Sequence, residues 1–135
     1  MKTWLLDANV LLRFLRDDDP VQAPAARRLF IEARDGKVSL RLTTITLAEV
    51  FYALRASYKM PRAECARLLA QVVRTGICQV ENESLVLAAL ARVETANVDF
   101  GDAYLAAEAV LSGVGVASFD EDFARFPDVR WHRPG

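Results

Sequence analysis

Six carboxylates are the residues of this 135-residue chain whose positions best suit them to act together. They are Asp7, Glu49, Asp99, Asp102, Asp120 and Asp122. Each lies at the end of a predicted strand or in the first turn of a predicted helix. Asp7 directly follows a short apolar run, and Asp120 lies within two residues of the end of another. Parallel strands that end at one edge of a sheet would bring these carboxylates together.

Carboxylates within a few ångströms of one another repel, so such a group needs a cation or shared protons. Hard oxygen ligands without clustered Cys or His favour Mg²⁺ or Mn²⁺ over Zn²⁺. A bound divalent ion can polarise a phosphoryl oxygen and generate a hydroxide nucleophile, so the chemistry indicated is phosphoryl transfer to water. His132 is the only histidine, which argues against a Ser-His-Asp triad.

The sequence leaves a structural role open for every one of these carboxylates. Helix caps or turns are roles available to Asp7, Asp99, Asp120 and Asp122. Thr46 and Glu49 match the S/T-x-x-E capping box, in which the glutamate bonds back to the first residue's amide. These separate roles do not explain why every helix start at one predicted sheet edge is acidic.

Short apolar segments alternate with segments of helical periodicity along the chain. Strands are predicted at residues 4–6, 38–42, 77–80, 114–118 and 129–131. The first is predicted to be a fully buried central strand, because it is a continuous apolar run. Pro20 and Pro61 fit helix starts, and Gly101 is predicted in the turn before an alanine-rich helix. The alternation predicts an α/β fold with a mainly parallel central sheet wrapped by helices.

Length and composition indicate one domain over residues 1–135, with a hydrophobic fraction of 53% that predicts a real core. A net charge of -1 argues against a surface uniformly basic for nucleic acid, although a small basic rim remains compatible with it. No apolar run is long enough to span a membrane and no signal peptide is evident, so a cytoplasmic location is expected. Cys65 and Cys78 are expected to be free, buried thiols.

Four segments together resemble the motifs of PIN-domain ribonucleases, most closely the VapC-type toxins of prokaryotic toxin–antitoxin pairs. They are Leu6-Asp7-Ala8-Asn9-Val10-Leu11, Leu47-Ala48-Glu49-Val50, Asp99-Phe100-Gly101-Asp102-Ala103 and Ala117-Ser118-Phe119-Asp120-Glu121-Asp122-Phe123. The resemblance covers nearly the whole chain, in the family's order and approximate spacing. It implies an α/β/α sandwich and a Mg²⁺- or Mn²⁺-dependent endoribonuclease that cleaves single-stranded or loop RNA.

The resemblance also implies roles for individual residues and partners. The family's acidic quartet corresponds to Asp7, Glu49, Asp102 and Asp120. Further acidic positions and neighbouring polar positions of the family correspond to Asp99, Asp122, Asn9 and Ser118; the family often has Thr at the last of these, so the hydroxyl is kept. Family members commonly form homodimers and are held inactive by an antitoxin whose C-terminal segment covers the acidic groove.

Three other functions compete with the ribonuclease. A phosphatase with a strand-end Asp nucleophile usually has a second acid two residues on, where this chain has Asn9. A signalling receiver needs a Lys near a late strand, and the only lysines are Lys2, Lys37 and Lys59. A non-catalytic PIN-like binding module is disfavoured because the acidic set is complete.

Overall fold

The computed structural model describes residues 1–135 and contains six α-helices and one short 3-10 helix. The α-helices are α1 (Ala8–Leu15), α2 (Gln22–Arg34), α3 (Thr44–Ala56), α4 (Arg62–Thr75), α5 (Glu83–Ala96) and α6 (Phe100–Ser112). The 3-10 helix spans Glu121–Arg125. Helix α5 packs extensively against both α4 and α6.

Five strands form two parallel sheets. They are β1 (Lys2–Leu5), β2 (Val38–Leu42), β3 (Cys78–Val80), β4 (Val116–Ala117) and β5 (Trp131–His132). The first three pair in the order β1-β2-β3, and β4 pairs with β5. The predicted α/β class is confirmed as an α/β/α sandwich with a parallel central sheet. The fourth strand is shorter than predicted, because only two of its residues pair with β5.

The prediction that the first strand is buried and central is wrong. All four residues of β1 are exposed, with Leu5 70% exposed, and β1 is the outer strand of its sheet. Burial begins only at Leu6, which is 5% exposed and follows the strand. An apolar run shows that a segment is suited to burial, but the strand order decides whether both of its faces are covered.

Two helix starts also differ from prediction. Thr43 is the N-cap of α3, and its Oγ1 accepts a hydrogen bond from the Thr46 amide at 3.2 Å. Glu49 therefore lies in the second turn, and the Thr46–Glu49 capping box is wrong. Gly101 is the second residue of α6 rather than part of the preceding turn.

Aromatic packing fixes the start of α6 against α3. Phe51 and Phe100 are both buried, and their ring centroids are 6.0 Å apart. Phe100 is the first residue of α6, so this contact places the first turn of that helix. Truncating such a buried ring to alanine typically costs about 3–5 kcal/mol. The site described below thus depends on a well-packed part of the core.

Both cysteines are free and buried, as predicted. Burial raises the pKa of Cys65, and it raises the pKa of Cys78 to about 11. No helix has the combination of length and apolar character needed to cross a membrane.

Candidate functional site

Three of the predicted carboxylates converge. Each of Asp102, Asp120 and Asp122 offers an oxygen that lies within 4.8 Å of the other two. Two oxygens that bind one divalent ion from opposite sides are about 4–5 Å apart, since each metal–oxygen bond is about 2.0–2.6 Å. The spacing and the purely carboxylate donor set therefore fit a hard divalent cation such as Mg²⁺ or Mn²⁺. We call these three residues the aspartate cluster.

Asp102 is placed in the cluster by the first turn of α6. The hydroxyl of Tyr52, on α3, accepts a hydrogen bond from the Gly101 amide at 3.0 Å. A Cβ at position 101 would lie 3.0 Å from the same hydroxyl oxygen, so glycine allows this close approach. Because Tyr52 satisfies one of the free amides at the helix start, the Asp102 carboxylate is not needed for it.

Asp120 and Asp122 are placed by the 3-10 helix that follows β4. The Asp120 amide donates to the Ser118 hydroxyl at 2.9 Å, and Asp120 Oδ1 accepts from the Asp122 amide at 2.8 Å. Phe123 is buried, which anchors this short helix to the core. The predicted turn role of Asp120 is thus real, and the same side chain also lies within hydrogen-bonding reach of the Asp102 carboxyl.

The pKa of the Asp102 carboxyl is raised above its ordinary value, and burial is the largest cause. Negative charge on Asp120 and Asp122 raises the pKa further, followed by the charge on Asp99. These are the two effects expected when carboxylates are crowded and partly removed from water. A cation in the cluster would relieve the repulsion between these carboxylates.

Asp99 lies next to the cluster and has a different partner. It occupies the N-cap position of α6, but its side chain makes no capping hydrogen bond. Instead, Asp99 Oδ1 accepts a hydrogen bond from Nε of Arg62 at 2.9 Å. The helix-cap interpretation of Asp99 is therefore wrong with respect to its side chain.

Asp7 and Glu49 are not among the carboxylates that converge. Asp7 is exposed and is the N-cap of α1, where its Oδ2 accepts from the Asn9 amide at 3.2 Å. Glu49 is exposed on α3. The structure therefore gives Asp7 its predicted capping role, and neither residue belongs to the group of three carboxylates that converge.

Three residues at this site were missed by sequence reasoning. Arg62 contacts Asp99, Tyr52 holds the start of α6, and Arg125 lies 3.7 Å from Asp122 between Nε and Oδ1. Arginine and tyrosine on a helix are usually surface residues, so their types and spacing carry no signal. Only the folded arrangement identifies them.

The family model described as PIN domain matches residues 4–129. This range contains all six of the predicted carboxylates. No curated protein matches the chain.

Proposed function

Because the chain belongs to the PIN-domain family, whose fold is of the nuclease type, we propose that it is a metal-dependent endoribonuclease that cleaves single-stranded or loop RNA. The observation that carries this proposal is the convergence of Asp102, Asp120 and Asp122 on one position. A set made only of carboxylates suits Mg²⁺ or Mn²⁺ and phosphoryl chemistry.

The aspartate cluster would hold the ion. A divalent ion bound there supplies a Lewis acid for a phosphoryl oxygen and lowers the pKa of water. Ser118 keeps Asp120 in position through the Asp120 amide, and Tyr52 keeps Asp102 in position through the first turn of α6. The family resemblance adds Asp7 and Glu49 to the catalytic set, and these two assignments rest on that resemblance alone.

Incubation of the purified protein with total RNA tests the proposed activity. We expect cleavage with Mn²⁺ or Mg²⁺ and none with EDTA. Carboxylates and a phosphodiester are both negatively charged, so a cation is needed to stabilise the charge that develops on the phosphate. Cleavage that EDTA leaves undiminished would contradict metal dependence. Absence of cleavage with either ion would favour a non-catalytic binding module.

We further propose that the chain is the toxin of a toxin–antitoxin pair. The support is the resemblance to VapC-type toxins and the excess negative charge at the cluster, which attracts a guanidinium as it attracts a metal ion. We expect the product of the adjacent reading frame to copurify with the chain and to insert an arginine among the three aspartates. A structure of that complex with no cationic side chain at the cluster would contradict this arrangement.

A homodimer is proposed on the same resemblance. Val110 and Leu111 are exposed apolar residues in the last turn of α6, and Val114 is exposed just after the helix. A group of exposed apolar residues is typical of protein contacts. Sedimentation velocity should give a dimer for the wild type and a monomer for Leu111→Lys. A wild type that is monomeric at all concentrations would contradict the proposal.

A further inference from the structure

Arg62 contacts the acidic site through only one edge of its guanidinium. Its Nε donates to Asp99 Oδ1 at 2.9 Å, and neither terminal amino group donates a hydrogen bond. The Arg62 side chain is 29% exposed, so it is held at the site and still open to solvent. An arginine that only served Asp99 could use two nitrogens on its two oxygens, as in a bidentate pair.

The surroundings of Arg62 are acidic and tightly held. The hydrogen bond to Asp99 raises the pKa of Arg62, and the negative charges of Asp99 and Asp122 act in the same direction. Arg62 therefore carries a fixed positive charge beside the aspartate cluster. It begins α4, whose Ala66 and Leu69 are buried, so its backbone belongs to a packed element.

Arg125 is the other arginine near the cluster, and it is used differently. Its Nη1 donates to the carbonyl oxygens of Ala96 and Asn97 at 3.3 and 3.1 Å. These bonds satisfy free carbonyls at the end of α5, which is a structural task. Of the two arginines, only Arg62 has both terminal amino groups available for a ligand.

Single-stranded RNA is the ligand that this arrangement suits. A polyanion that approaches an acidic cluster is repelled, so a cation fixed at the cluster's edge gives a phosphate a place to bind. Guanidinium matches a phosphate through two parallel hydrogen bonds, and its charge does not depend on pH in the physiological range. We propose that Arg62 binds a backbone phosphate of the RNA through its terminal amino groups while Nε remains on Asp99. This inference rests on the proposed ribonuclease function.

The competing role for Arg62 is purely to position Asp99. The two roles make different predictions about salt. Each phosphate that a protein neutralises contributes a slope of about -0.7 to the dependence of log affinity on log salt for single strands. A residue that only positions Asp99 adds nothing to that slope.

The test compares Arg62→Ala with a matched control on the same helix. Arg67 is exposed and pairs with Glu94 at 3.4 Å, away from the cluster, so Arg67→Ala removes one positive charge from α4 without touching the site. Binding of a fluorescently labelled single-stranded RNA of mixed sequence is measured by anisotropy in Ca²⁺, with a gel to show that the RNA stays intact. The salt concentration is varied, and melting curves verify that each variant is folded.

We expect Arg62→Ala to weaken RNA binding about tenfold and to reduce the salt slope by about 0.7, since one charge-assisted phosphate contact is lost. Arg67→Ala should leave affinity and slope close to those of the wild type. Arg62→Lys should restore the slope, because the charge returns, and restore the affinity only in part, because lysine lacks the planar fork.

An unchanged salt slope in Arg62→Ala, or an equal loss in Arg67→Ala, would overturn the proposal for Arg62. If total RNA is still cleaved by the wild type in Mn²⁺, that result leaves the ribonuclease function intact. If the wild type neither binds the RNA oligonucleotide nor cleaves total RNA, both proposals fail together.

Discussion

Two groups of carboxylates in this molecule are used in different ways. At the end of the three-stranded sheet, Asp7 accepts from the Asn9 amide and Glu81 Oε1 accepts from the Thr44 amide at 3.2 Å. At the start of α6, Asp102 makes no such bond and instead lies beside two other aspartates. The carboxylates that follow β1 and β3 accept hydrogen bonds from helix-start amides, whereas Asp102 accepts none and Asp120 uses only one of its oxygens in this way.

The difference follows from what else is available to bind the free amides of a helix start. At the start of α6 the Tyr52 hydroxyl accepts a hydrogen bond from the Gly101 amide. The Asp99 side chain accepts a hydrogen bond from Arg62 and does not cap the helix. No comparable side chain reaches the start of α1, so Asp7 serves as the cap. A carboxylate becomes available for chemistry where another group satisfies the backbone beside it.

Removal of one carboxylate from the cluster should have the largest effect. Asp102→Asn should lower Mn²⁺-dependent RNA cleavage by about a hundred- to a thousandfold, because a ligand that holds the ion is worth several kcal/mol in the transition state. Glu108→Gln, at an exposed position of the same helix, is the control and should be close to wild type. Initial rates on total RNA provide the measurement. Equal activity of the two variants would remove Asp102 from the site.

Metal binding should stabilise the wild type, and the size of that stabilisation should show which carboxylates bind the ion. An ion present at about one hundred times its Kd adds about 2.7 kcal/mol to the free energy of unfolding. We expect Mn²⁺ to raise the melting temperature of the wild type by several degrees and that of Asp102→Asn by much less.

The same measurement on Asp7→Asn tests whether Asp7 binds the ion. The position of Asp7 in the family's acidic quartet predicts that Mn²⁺ raises the melting temperature of this variant less than that of the wild type. A shift equal to that of the wild type would mean that Asp7 is only a helix cap.

Loss of the N-cap of α3 should have a smaller effect, on the free energy of unfolding. Thr43→Ala removes the hydroxyl that accepts from the Thr46 amide, and loss of such a cap costs about 1 kcal/mol. Glu49→Gln should leave the free energy of unfolding unchanged, since Glu49 lies beyond the first turn. Urea unfolding of both variants is the test. Destabilisation by Glu49→Gln in the absence of metal would restore a structural role for that side chain.

The smallest effect is expected on the melting temperature in EDTA, where no ion offsets the repulsion between the carboxylates of the aspartate cluster. The pKa of Asp102 is raised in the folded chain above its ordinary 3.8, so the folded state holds the proton more tightly than the unfolded state. Its ionisation therefore costs stability as pH rises through the folded pKa, and the cost is absent below 3.8. In EDTA, Asp102→Asn should melt above the wild type at neutral pH, and this difference should vanish towards pH 4.

Asp7→Asn is the matched case for that experiment, because asparagine caps as well as aspartate. The Asp7 carboxylate is not among the three that converge, so the melting temperature of Asp7→Asn in EDTA should stay close to that of the wild type at neutral pH. A rise for Asp7→Asn as large as that for Asp102→Asn would place the Asp7 charge in the same repulsive group.

The elements of this fold were predictable because periodicity and helix-ending residues are local signals. Pro61, for example, directly precedes α4 as predicted, and β2 covers the expected residues 38–42. The exposure of β1 was not predictable, because it depends on which strands pair with it. Local sequence therefore identifies the segments better than it identifies their neighbours.

The candidate site was predictable only in part for a similar reason. Carboxylates at helix starts were visible in the sequence, and three of them converge. Whether an acid caps a helix or remains free depends on side chains distant in sequence, such as Tyr52 for the Gly101 amide. Arg62 lies 37 residues from Asp99, so no local pattern links them.

The two buried cysteines have a practical consequence for spectroscopy. The thiolate is the form that reacts with maleimides, and the Cys78 thiol has a pKa of about 11. Cys65 is fully buried as well, so both native thiols should remain unlabelled at neutral pH. Ala124 is exposed in the 3-10 helix that carries Asp122. Ala124→Cys would therefore accept a single dye in the otherwise native chain, and its fluorescence would report directly on movement of that helix when an ion arrives.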